Sequence, residues 1–175
     1  MEENTIRNML RLAPAMMAAA LLVPAGASAQ TYPAPKDPGK VQPKPKGPHK
    51  TYTVCHKKHA CDFRSIQKAV NKARAGDTIR VRNGVYREAV TINGKGKRYL
   101  RLVGNAKKPR KVVLLAKGNM QNGVFINNAD KVTVDGFFAR NYKGNGFFVT
   151  NANGYTFTHL VAKQTGVYGL YAFNT

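Results

Sequence analysis

From residue 78 onward, apolar and polar positions alternate in short runs, and each of five runs closes on an asparagine. The runs are Ile79-Arg80-Val81-Arg82-Asn83, Arg101-Leu102-Val103-Gly104-Asn105, Val124-Phe125-Ile126-Asn127-Asn128, Phe147-Phe148-Val149-Thr150-Asn151 and Leu170-Tyr171-Ala172-Phe173-Asn174. The closing asparagines recur at a nearly constant interval from Asn83 to Asn174. Two positions before each Asn the residue is apolar; four before, it is apolar in every run but one, where Arg101 stands. Period-two alternation predicts a short strand with one face turned inward. The Asn predicts a sharp turn after it, because Asn tolerates left-handed backbone better than other residues that carry a side chain. So regular an interval predicts stacked repeats, with Asn83, Asn105, Asn128, Asn151 and Asn174 bonded as a ladder at one corner.

The rest of each repeat agrees. Gly123, Gly146 and Gly169 recur just ahead of the strand. Val132-Thr133-Val134 and Phe137-Phe138-Ala139 return one period later as Tyr155-Thr156-Phe157 and Leu160-Val161-Ala162. Three short strands per turn with no helix between them cannot bury an apolar face alone, so turn must stack on turn. The expected fold is all-β, a parallel β-helix over 51–175 of about five rungs, each of about 22–23 residues. A leucine-rich repeat would need its Leu-x-x-Leu-x-Leu pattern, and a sandwich would not keep one register through five asparagines. Ahead of the coil, Phe63, Ile66, Ala69, Val70 and Ala73 follow helical spacing. Asp62 or Ser65 suits the start of that helix and Gly76 its end, and its single apolar stripe predicts a short N-terminal cap over the core.

The blocks Phe63-Arg64-Ser65-Ile66-Gln67-Lys68-Ala69-Val70, Gly76-Asp77-Thr78-Ile79-Arg80-Val81 and Gly84-Val85-Tyr86-Arg87-Glu88 resemble the opening of right-handed parallel β-helix proteins. Pectinesterases and pectate-lyase-like proteins are the best known of these. The resemblance covers residues 51–175 and implies the right-handed coil. The catalytic aspartates and glutamine of pectinesterases lie in later rungs and have no counterpart here, and Arg82 stands where the esterase pattern has Lys, Glu or Pro. The chain stops within a rung at Thr175, so the resemblance implies an N-terminal portion of a longer coil.

Residues 1–29 read as a bacterial-type secretory signal, with Arg7 and Arg11, an apolar run from Leu12 to Val23, then Ala27-Ser28-Ala29 before Gln30. This places the protein outside the cell or in its envelope, with no transmembrane segment after cleavage. Residues 30–50 hold six prolines, five lysines and one acid, a composition expected to stay extended and solvated as a flexible tail. In an exported chain Cys55 and Cys61 read first as a disulfide; a Zn²⁺ site with His56 and His59 is the alternative. No cofactor is implied, and calcium would enter only with lyase-like rungs beyond these.

Net charge is +21, and removal of the signal takes two bases with two acids and leaves it unchanged. Between Lys95 and Lys117 stand nine Lys or Arg and no carboxylate. Such an excess exceeds what solubility needs and predicts a polyanionic partner. Export makes that partner an acidic polysaccharide or cell-wall polymer; nothing in the chain resembles a nucleic-acid-reading fold. If the residues two and four before each Asn face inward, the residue three before faces out. Arg80, Leu102, Phe125, Phe148 and Tyr171 then form an outer row. With Arg101 beside them, the aromatic and basic members are the candidate glycan contacts. Only five carboxylates, Asp62, Asp77, Glu88, Asp130 and Asp135, lie in the folded region. Neither Asp130 nor Asp135 gains a stacked partner, so the acid pair of a glycosidase is missing. His159 is a lone candidate base. The expected role is therefore contact with anionic polysaccharide. It is either that of a binding or structural module or that of the scaffold of a lyase or esterase whose site lies in further rungs. An open last rung would also allow end-to-end self-association.

Overall fold

Inward aliphatic side chains lie over one another from strand to strand, and this stacking sets the architecture. The computed structural model describes residues 37–56 and 60–175. Residues 1–36, which include the stretch expected to be a signal and the first residues of the Lys/Pro segment, and Lys57, Lys58 and His59 lie outside them. The strands in chain order are β1 (Thr51–Val54), β2 (Thr78–Val81), β3 (Gly84–Tyr86), β4 (Val90–Asn93), β5 (Arg101–Val103), β6 (Val112–Leu115) and β7 (Val124–Asn127). They continue as β8 (Val132–Asp135), β9 (Phe138–Arg140), β10 (Phe147–Thr150), β11 (Tyr155–Thr158), β12 (Val161–Lys163) and β13 (Leu170–Phe173), with one α-helix, α1 (Ile66–Lys72), after β1. All named pairings are parallel. They make three sheets, β1-β2-β5-β8-β11, β3-β6-β9-β12 and β4-β7-β10-β13. From β2 onward each sheet takes every third strand, which gives a β-helix-like, all-β arrangement of stacked parallel sheets.

Three columns fill the interior. Ile79, Leu102, Val134 and Phe157 stack in the first sheet. Tyr86, Leu114, Ala139 and Ala162 stack in the second, and Ile92, Ile126, Val149 and Ala172 in the third. Most of these side chains are completely buried, and each large one contributes about 1.5–3 kcal/mol relative to exposure. The glycine column ahead of the third sheet has a steric cause. A Cβ on Gly123 would lie 2.5 Å from the Gly146 carbonyl oxygen, and one on Gly146 would lie 2.6 Å from that of Gly169. Those same oxygens accept the amides of Val124 and Phe147, both at 3.0 Å.

The uniform asparagine spacing conceals a change of sheet. Runs ending at Asn83 and Asn105 contain β2 and β5 of the first sheet, whereas those ending at Asn128, Asn151 and Asn174 contain β7, β10 and β13 of the third. Thr78 pairs Arg101, one period on, but Leu102 pairs Val134, well over a period on. The added length falls in the connections around residues 104–111 and 116–123. The inside–outside alternation also differs in one run. Leu102 is fully buried and Val103 lies outside, in register with Arg80 and Asp135. Arg101, the one polar residue four before an Asn, marks that shift: burying it would cost far more than turning the strand by one residue.

Helix α1 starts at Ser65, whose hydroxyl accepts the Lys68 amide, and buries Ile66, Ala69 and Val70 against β1, β2 and β4. Glu88 accepts at its N-terminus from Ser65 Oγ (2.7 Å), Ile66 N (2.9 Å) and Gln67 N (3.0 Å). At the other end, Lys97 Nζ donates to the carbonyls of Val70, Asn71 and Ala73. An anion at the first turn and a cation at the last both match the helix dipole. Gln67 closes the edge of the third sheet, since its side-chain amide accepts from Thr91 N and donates to Thr91 O.

The described part of the Lys/Pro segment is laid against the rest of the fold rather than solvated on all sides. Lys50 N donates to Asp77, Arg98 donates to Pro43 O, Gln42 N donates to Asp130, and Asn153 donates to Gly39 O. Residues 39–50 thus form a strap that crosses successive turns along the corner ahead of the first sheet.

Candidate functional site

The outer row divides between two sheets. Phe125, Phe148 and Tyr171 are in register on β7, β10 and β13, with ring centroids 5.1 and 5.2 Å apart and planes within 22° and 18°. Tyr168 and Phe173 crowd Tyr171 at 5.0 and 6.2 Å. The faces of the rings are turned to one another, so a ligand alongside meets ring edges rather than the flat faces on which sugars stack. Arg80 and Arg101 are exposed on the first sheet, on adjacent strands, apart from the aromatic row. Leu102, the remaining member, is in the core.

The asparagines form separate rows. Asn105 donates to Asn83 at 2.9 Å. A second row runs Asn93, Asn127, Asn151 and Asn174, each amide donating to the one before at 3.0, 3.0 and 3.4 Å. Asn127 takes the place expected of its neighbour Asn128, whose side chain is exposed. Asn128, Asn151 and Asn174 have φ of 50°, 50° and 52°, the left-handed turn; Asn83 and Asn105 are not among the positive-φ residues. Asn145 also donates to Asn122 at 3.0 Å beside the glycine column, a pair visible in the sequence as two asparagines one period apart.

Every described carboxylate is committed to a donor within the chain. Asp37 accepts Gly39 N, and Asp62 accepts Thr53 N and Oγ1, which hold its pKa below the usual carboxylate value. Asp77, almost fully buried, accepts the amides of Lys50 and Arg74, both at 2.8 Å. Asp130, equally buried, accepts those of Gln42 (2.6 Å) and Asn153 (2.8 Å). Glu88 holds α1. Asp135 accepts Thr158 Oγ1 at 2.9 Å and lies 2.7 Å from His159 Nδ1, the one ion pair among the described residues. No described Lys or Arg meets a carboxylate. Tyr86 and Tyr142 are buried, donate to the Arg82 and Glu88 carbonyls at 2.7 and 2.6 Å, and have pKa values raised by burial and by the Glu88 charge, Tyr86 to about 12. Burial lowers the Lys97 pKa, against the opposing pull of Asp77.

Cys55 and Cys61 are joined as a disulfide, and His56 stacks on Tyr86 at 4.5 Å, so the thiolates of the zinc alternative are consumed. Among the described residues no cluster of three His, Cys, Asp or Glu could hold a metal ion, and no helix is long and apolar enough to cross a membrane.

Two places have chemical potential. Asp135 orients the His159 ring, more than half exposed at 58%, in the manner of a general base, but no second acid stands by. An open depression of about 530 Å³ lies at the next corner between Arg82, Asn83, Asn105 and Lys107. The roles of Glu88, Lys97, Asp77 and Asp130 escaped the sequence because each partner lies a full rung or more away along the chain or is a backbone group. No family model, no curated protein and no solved structure matches this chain.

Proposed function

We propose that this is an exported right-handed parallel β-helix of the pectate-lyase-like kind, with α1 covering the first end of its core, and that it binds anionic polysaccharide at or outside the cell surface. One observation carries this reading: all described carboxylates are occupied within the chain, while Lys and Arg are left without carboxylate partners on a chain of net charge +21. A polyanion supplies the missing countercharge. Arg80, Arg101, Arg82 and Lys107 are the proposed contacts, all exposed on or beside the first sheet. The aromatic row serves chiefly to hold turns together and adds ring edges to the surface. The signal-like N-terminus and the disulfide support an oxidising, extracytoplasmic setting.

A second reading, a scaffold for a polysaccharide lyase or esterase, is favoured by the Asp135–His159 pair. One experiment separates the two. Residues 30–175 and the longest form encoded at the native locus are incubated with polygalacturonate, other acidic polymers and neutral dextran, with calcium varied, and unsaturated ends and methanol are assayed. The binding reading expects retention by acidic polymers and no product from either form. Product from the long form alone establishes the scaffold reading, and equal retention by dextran removes the polyanion reading.

A further inference from the structure

A cavity of about 570 Å³ lies between the strap and the end of α1, away from the contacts proposed above. Its walls include Lys46 and Lys50 from the strap, Lys72 from α1 and Arg74 just beyond it, together with Tyr52 and His49. Four cations therefore converge on one space. Asp77 is the single carboxylate in the lining, and its two oxygens are taken by the Lys50 and Arg74 backbone amides. That carboxylate fixes the walls and leaves the four cationic heads without a counter-ion.

The enclosure is built rather than incidental. His49 sits on the bare Cα of Gly76, where an added Cβ would collide with the ring, and Gly76 has a φ of +82° that disfavours any side chain. Thr78 N donates to Lys50 O at 2.8 Å, which anchors the strap where it enters β1. Pro45 and Pro48 stiffen the segment between.

We infer that this cavity seats one acidic sugar residue, its carboxylate among Lys46, Lys50, Lys72 and Arg74 and its ring beside Tyr52. The identity of the ligand rests on the polysaccharide reading above; the site itself rests on the cavity. A charged, planar carboxylate suits a fork-shaped guanidinium with ammonium groups around it, and the volume admits a monosaccharide or the end of a chain.

The test is a titration of residues 30–175 with free galacturonate, with a short oligogalacturonate and with neutral galactose, followed through the amide resonances of residues 74–77. Saturable shifts with both acidic ligands and none with galactose are expected. A free sugar that binds as well as the oligomer assigns the site to monosaccharide; a clear preference for the oligomer assigns it to a chain end. K72A/R74A weakens either by about tenfold or more, whereas K117A/K163A, at exposed lysines outside both sets of contacts, leaves it unchanged. Lys72 makes no side-chain hydrogen bond among the described residues, so K72A alone carries the test if the double variant unfolds. No saturable shift, or equal loss in both variants, overturns the inference. Polymer binding without galacturonate shifts removes this site alone, while galacturonate shifts without polymer binding remove only the reading above.

Discussion

At the scale of single residues, the chain uses its few acids as acceptors for backbone amides. Glu88 is the clearest case, since one carboxylate accepts a hydroxyl and two amides at the start of α1. Hydrogen bonds to a charged group are worth about 1.5–3 kcal/mol, and removal leaves the amides at a partly buried helix end unpaired. E88A should therefore lower stability by about 2 kcal/mol or more, read from the urea midpoint, with E88Q intermediate. An unchanged midpoint would show that water satisfies those amides equally well. The Gly84–Glu88 stretch stood out in the sequence only as part of a resemblance to β-helix proteins, and this duty was not legible, because the helix it holds lies a whole rung earlier in the chain. The buried tyrosines set a pH limit. Their pKa values are raised in the folded state, Tyr86 from 10.0 to about 12. The stability they contribute is thus intact below pH 10 and is lost as pH rises from there through the folded values. Lys97, lowered by burial, acts in the opposite sense. Alkaline unfolding that begins near pH 10 and weakens in Y86F is the expected result; on the order of 2 kcal/mol is at stake for Tyr86.

Among elements, periodicity revealed strands and turns but not which sheet each strand joins. Inner columns such as Ile92, Ile126 and Val149 follow directly from alternation. The passage from Asn105 to Asn128 has the same spacing as the others and yet steps from the first sheet to the third, since two longer connections shift the strand order without disturbing the count. The aromatic row illustrates what register adds. Its rings stack on each other, so F148A should cost about 1 kcal/mol of stability beyond the loss of buried area while leaving affinity for acidic polymer nearly unchanged. A severalfold loss of affinity would return that row to the binding surface. The strap is the element that composition concealed, for Pro and Lys predict an extended chain equally well in solvent and against a surface. Its hold depends on buried Asp130. D130N should speed amide hydrogen exchange at Gln42 and Asn153 and spare the β7 and β10 amides; exchange unchanged at Gln42 would detach the strap from this account.

For the molecule as a whole, the stacked β architecture was written in the repeats, while the surface could be read only as a total charge. The structure shows why the few described acids do little to offset that charge locally: each accepts from backbone amides or from neutral or histidine side chains, and none meets a Lys or Arg. A coil of this kind repels itself unless an anion lies against it. The most direct measurement is the affinity of residues 30–175 for polygalacturonate by titration calorimetry at a series of salt concentrations. The account predicts binding that weakens at least tenfold or so between about 50 and about 200 mM salt, as ions released from a polyanion require. Affinity that stays constant across that range, or that neutral dextran matches, would contradict it.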